Sequence, residues 1–130
     1  MRRILRVARL VVAIPTGIIS VYLILYFASG HAPALGAAHW PIWAISCILL
    51  VILGGAIAST VAGLRPMIVG AAVGLYFAYI QVLMLGHAHA TNPRWFDVTM
   101  LILAVPAGIA GGYFSSVLLR RHMATRASAI

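Results

Sequence analysis

The side chains able to carry chemistry in this chain are few, and most fall in two short stretches. His31 and His39 precede the second long apolar run, His87 and His89 lie between the third and fourth, and Asp97, the chain's single acid, opens the last. Neutral imidazole suits zinc, copper and nickel, so four imidazoles and a carboxylate could converge on a transition metal if those stretches approached each other. The spacing is not that of a strong metal motif, and loop histidines are ordinarily solvated. The expectation is therefore no cofactor, with His31, His39, His87 and His89 as the candidate ligands if a metal is held. Bis-histidine haem would need facing histidines within the apolar runs, and every histidine lies outside them. Asp97 has a competing structural use, capping the free N–H groups at the start of a helix and complementing its dipole.

No soluble catalytic constellation is visible. There is no acid pair, no nucleophile with a base and an orienting acid, no glycine-rich phosphate loop after a strand, and Cys47 is the lone cysteine. An enzyme is not expected. The composition says what is expected instead. Of 130 residues 64% are hydrophobic and 8% charged, and a mean hydropathy of +1.09 is beyond what a water-soluble domain carries on its surface.

Crossing about 30 Å of hydrocarbon takes roughly 20 apolar residues at 1.5 Å each. The runs 10–28, 40–64, 66–85 and 98–119 qualify and contain no ionisable acid or base. They imply an all-α integral membrane protein, a single domain over 1–130 built as a four-helix bundle. The basic residues are all arginine: 2, 3, 6 and 9 before the first run, 65 between the second and third, 120, 121 and 126 after the fourth, and only Arg94 elsewhere. By the positive-inside rule both termini and the Arg65 turn are cytoplasmic, as in a bacterial inner membrane. Trp40, Trp43, Trp95, Tyr26, Phe27 and Phe96 then form an aromatic belt at the outer boundary. Arg2, Arg3, Arg6, Arg9, Arg120 and Arg121 read as contacts to anionic lipid, worth about 1 kcal/mol each near the surface, and not as a nucleic-acid patch. The order of a basic start and an apolar run is also that of a signal peptide, but the run is longer than a usual h-region, so a span is expected.

Helices in lipid associate by close backbone approach at small residues. Gly55, Ser59 and Gly63, then Gly70, Gly74 and Ala78, then Gly108, Gly112 and Ser116 recur at i, i+4, i+8 and mark candidate packing faces. Pro15 and Pro106 interrupt the hydrogen bonding of the first and last runs, freeing the carbonyls of Val11 and Ile102. Hydroxyls within the runs are expected to bond back to the preceding turn. Gln81 is the exception, because its amide needs partners; with Tyr79, Pro15 and Pro106 it forms the candidate polar site.

Shifting the chain by 56 positions superposes Arg9 on Arg65, Gly30-His31-Ala32 on Gly86-His87-Ala88, Gly55 on Gly111, Ser59 on Ser115 and Arg65 on Arg121. That pattern suggests a tandem pair of helical hairpins. A separate match of Ala13, Pro15, Gly17, Ile18 and Tyr22 to Ala104, Pro106, Gly108, Ile109 and Tyr113 covers one helix only. Small aqueous parts, small-residue faces and the lack of intramembrane charge point first to an accessory, assembly or stabilising subunit of a larger membrane complex. The alternative is a small transporter or channel working as a homo-oligomer, and the third reading a metal-binding protein using the outer histidines. The expected partners are the bilayer and other membrane subunits or copies of the chain.

Overall fold

The computed structural model describes residues 2–29, 40–63, 65–87 and 92–128. They form four helices, α1 (Arg2–Ser29), α2 (Trp40–Ala62), α3 (Pro66–Gly86) and α4 (Arg94–Ser128). All four are long and apolar enough to cross a membrane. Apart from the bonds lost at Pro15 in α1 and Pro106 in α4, helical geometry keeps the backbone hydrogen bonds internal, as hydrocarbon requires. Helix α4, with 35 residues, is about 50 Å long at 1.5 Å per residue, well beyond the hydrocarbon thickness. The excess lies in its arginine-bearing end, where charge ends the apolar run without ending the helix. The same holds for α1, whose helix begins at Arg2, ahead of the apolar stretch. Pro15 and Pro106 both lie inside continuous helices, on exposed positions.

Backbone approach at glycine determines the packing. A Cβ added to Gly70 would collide with the Gly108 carbonyl, one at Gly74 with the Ala104 carbonyl, and one at Gly112 with the Pro66 carbonyl, so α3 and α4 run antiparallel in near contact. On the other side of α4, a Cβ at Gly55 would stand 2.6 Å from the same Gly108 carbonyl oxygen, and one at Gly111 would meet the Ile52 carbonyl of α2. Gly108 therefore sits where α2, α3 and α4 converge. Helix α1 joins at Gly17, where a Cβ would lie 2.5 Å from the Gly54 carbonyl oxygen and 2.8 Å from Ala58 Cβ. Among the described residues α1 and α4 do not approach each other. Around these crossings lie the buried Ala13, Val51, Ala58, Val69, Val73, Ala104 and Ala107.

Two of the expected packing residues stand elsewhere. Gly63 lies beyond the end of α2 at φ 63, with open space where a Cβ would point. Its N–H bonds to the Ser59 carbonyl at 3.1 Å, the left-handed helix stop that glycine makes without strain. Ser116 is half-buried and donates to the Tyr113 carbonyl at 2.7 Å, while its neighbour Ser115 is 1% exposed. The reason is angular: at about 100° per residue, position 115 lies about 20° from Gly108 around the helix and position 116 about 80°.

The α2–α3 turn is tied by one hydroxyl. Ser59 Oγ lies 2.6 Å from the Gly55 carbonyl oxygen and 2.8 Å from that of Pro66, its hydrogen shared between the two helices. Arg65 takes a left-handed conformation (φ 43, ψ 60), and its carbonyl accepts the first amides of α3 behind Pro66, the position where proline's missing N–H costs nothing.

Overpacking costs about 1–3 kcal/mol, and a Cβ on Gly108 would meet the backbone of α3 at Gly70 and Gly74. Gly108→Val is therefore expected to lower the unfolding temperature in mild detergent far more than Gly86→Val, whose Cβ would meet nothing within 4 Å. Ser59→Ala should fall between, at about 0.5–1.5 kcal/mol for its hydrogen bonds. Equal melting of the two glycine variants would overturn the convergence at Gly108.

Candidate interhelical cavity

Toward the end where α1 finishes and α2 begins, aromatic side chains take over from glycine and hold the helices apart. Tyr22 of α1 packs on Phe77 of α3 with ring centroids 5.8 Å apart, and edge-on to Tyr76 at 6.5 Å. Trp40 of α2 meets Phe96 of α4 at 5.5 Å, and Trp95 flanks the same ring at 6.2 Å. Offset and edge-to-face pairs of this kind fill space in rigid blocks and leave gaps between them.

The gap here is a cavity of about 370 Å³ among all four helices. Helix α1 contributes Val21, Tyr22, Leu25 and Tyr26, α2 contributes Trp43, Cys47 and Val51, α3 contributes Phe77 and Gln81, and α4 contributes Phe96 and Met100, with Asn92 just ahead of it. Gln81 Oε1 is itself buried with no hydrogen-bond partner. Most hydroxyls within the helices are satisfied locally. Thr16, Ser20, Ser46, Thr60 and Thr99 bond back to the carbonyl one turn earlier. Ser115 Oγ is buried without a partner as well, but it does not line this cavity.

Asn92 also borders a second, more polar hollow of about 220 Å³, which includes His87, Arg94 and Asp97. Asp97 is not the cap that its place at the head of the apolar run suggests. Helix α4 starts a turn earlier, because the Pro93 carbonyl accepts the amides of Phe96 (2.9 Å) and Asp97 (3.4 Å). Asp97 thus lies inside the first turn, 1% exposed, where the helix dipole still favours its charge. Its Oδ1 accepts Asn92 Nδ2 at 3.3 Å.

Of the candidate polar site, the structure brings only Gln81 to the cavity. Tyr79 is 58% exposed, since two residues along a helix turn it to the far side, and neither Pro15 nor Pro106 lines the cavity. Of the candidate metal ligands, His31, His39 and His89 lie outside the described residues. His87 is exposed with Nδ1 2.7 Å from the Leu83 carbonyl oxygen. Among the described residues no three His, Cys, Asp or Glu side chains group closely enough to hold a metal. Of the aromatic wall, Trp43 and Phe96 belong to the belt expected from the sequence, while Tyr22 and Phe77 carry no sequence signal that sets them apart from other span residues.

No family model, no curated protein and no solved structure matches the chain.

Removing one partner of a buried polar pair costs about 1–3 kcal/mol, while removing both can be nearly neutral. Asn92→Leu is expected to destabilise the protein in that range by thermal unfolding. Asn92→Leu with Asp97→Leu should recover most of the loss, and additive losses would show that the two side chains act separately.

Proposed function

We propose that the chain is a non-catalytic integral membrane protein of the bacterial inner membrane that works as an accessory, assembly or stabilising subunit. The observation that carries this reading is the state of α1. Only 17% of its membrane-spanning window is buried within the chain, against 33–39% for the other three helices. Val7, Val11, Val12, Ile19 and Leu23 all point outward from it, and a shallow apolar hollow runs over Ile4, Val7, Ala8 and Val11. A helix held at one glycine crossing with α2 and by Tyr22 against α3, with most of its circumference outside the bundle, suits contact with a helix of another subunit.

The small-residue faces offer less support to that reading than their spacing suggests, because Gly55, Gly70, Gly74, Gly108 and Gly112 are consumed inside the chain. A second reading, a small transporter or channel acting as a homo-oligomer, draws its support from the cavity and the unpaired Gln81 carbonyl.

Part of the same proposal is orientation. Consecutive helices alternate in direction, which brings Arg6 and Arg9, the Arg65 turn, and Arg120 and Arg121 toward one end. That concentration of positive charge supports a cytoplasmic end lying against anionic lipid, with Arg2 and Arg3 in the same segment. A tandem-hairpin origin has support in the α2–α4 crossing. Gly55 meets Gly108 and Gly111 meets Ile52, and with the 56-residue shift these are one contact with the halves exchanged.

Mass measurement of the tagged full chain, extracted with its surrounding lipid in native nanodiscs, tests the subunit reading. A different membrane protein at fixed stoichiometry is expected; a lone monomer overturns the reading, and a lone homo-oligomer overturns it in favour of the second. For orientation, Thr125→Cys in a Cys47→Ala background should react with a membrane-impermeant maleimide only after spheroplasts are opened. Labelling of sealed spheroplasts would reverse the assignment.

A further inference from the structure

The end of the bundle that carries the arginines is shaped as well as charged. Gly112 abuts Pro66 at the start of α3, yet α4 runs on to Ser128, about 24 Å further at 1.5 Å per residue. Gly17 likewise abuts Gly54 and Ala58 near the end of α2, while α1 begins at Arg2, so α1 overhangs α2 by about 10 Å. Both α1 and α4 pack on α2 without meeting each other. Their overhangs therefore flank the Arg65 turn, and the space between them continues the column that α2 vacates, about 10 Å wide.

Helical register turns arginines into that space. At about 100° per residue, Arg6 and Arg9 lie within about 40° of the buried Ala13 around α1, and Arg126 lies in line with Gly108 around α4. The apolar Ile4, Val7, Ala8 and Val11 fall on the other side of α1, and Arg120 and Arg121 turn more than about 100° away from Gly108. Arg6, Arg9, Arg65 and Arg126 are exposed, and among the described residues their guanidinium groups have no hydrogen-bond or ion-pair partner. No acidic side chain of this chain can serve, because the single acid, Asp97, lies near the opposite end of α4. Met1, Leu64, Ala129 and Ile130, which lie outside the described residues, carry none either. Lipid is poorly placed to answer the charge. The floor of the space is the α2–α3 turn and not hydrocarbon, and Arg126 stands about 20 Å beyond Gly112, past a headgroup layer of roughly 5–8 Å.

We propose, resting on the subunit reading, that this space receives a carboxylate-rich segment of the partner protein. Arg6, Arg9, Arg65 and Arg126 pair with its acids, since guanidinium forks match carboxylates through paired hydrogen bonds, and Arg120 and Arg121 are left to the surrounding lipid.

A fluorescein-labelled peptide of alternating glutamate and alanine, with glutamine replacing glutamate in its control, tests this by anisotropy with the full chain in phosphatidylcholine nanodiscs. At about 0.15 M salt the glutamate peptide alone is expected to bind and saturate. Arg6→Gln with Arg126→Gln should weaken it about twentyfold, and Arg120→Gln with Arg121→Gln, which removes the same charge from the outward side, about twofold. In discs of mixed phosphatidylcholine and phosphatidylglycerol, the outward pair should govern how much phosphatidylglycerol stays bound by mass. The comparison of the two peptides on the unsubstituted chain stands even if a variant fails to fold. Equal binding of the two peptides, equal losses from the two pairs of substitutions, or phosphatidylglycerol retention governed by Arg6 and Arg126 would each overturn the proposal, the last in favour of lipid. A chain found alone in its membrane removes the subunit reading without altering the peptide result, so the two fail separately.

Discussion

Lipid gives apolar helices no reason to hide from it, so this bundle depends on how closely its backbones can approach, and three helices meet at Gly108. Gly55 of α2 and Gly70 of α3 both stand against its carbonyl, and no residue with a Cβ on either partner could be accommodated without moving a helix. Helix α4 consequently becomes the shared neighbour of α2 and α3. Helix α1, which reaches only α2 closely at Gly17 and Gly54, is left as the outlying member.

Two adjacent glycine pairs make this arrangement possible. Neighbouring residues on a helix point about 100° apart, so a Gly-Gly step opens two faces at one level. Gly54 receives α1 while Gly55 receives α4; Gly111 receives α2 while Gly112 receives α3. Where the glycines stop, the spacing changes. Tyr22, Trp43, Phe77 and Phe96 are too large to let the helices close, and the cavity is the space their rigid rings cannot fill. Tight crossing and open cavity are thus consequences of one gradient in side-chain size along the bundle.

The polar accounting follows the same division. In the tight half, Ser59 finds carbonyls on two helices at once, while Ser115 Oγ is buried without a partner. In the wide half, Asn92 and Asp97 satisfy each other in part, and Gln81 Oε1 is left with an unmet requirement. An amide is a poor choice for filling apolar space, because its oxygen gains nothing there.

Much of the architecture was legible in the residues themselves. Four uncharged runs predict four helices because only a backbone that satisfies its own hydrogen bonds can cross hydrocarbon, and Gly-rich spacing predicts close crossings in α2, α3 and α4. Helix ends were less legible: α1 and α4 extend past their apolar runs, because hydropathy reports where lipid is tolerated and not where hydrogen bonding stops, and Asp97 moved from a cap to a buried first-turn position for that reason. Which glycines meet was decided only in three dimensions. Gly17, Gly54 and Gly111 matter as much as the residues spaced at i+4, while Gly63 ends a helix and Ser116 yields to Ser115, because rotation about each helix axis depends on all its neighbours together. The sequence by itself determined four helices long and apolar enough to cross a membrane, with a single amide side chain near the end of one of them. Only the tertiary structure decided that this residue lines a cavity, since a void forms where rings from separate helices fail to interlock, and no single helix carries that information.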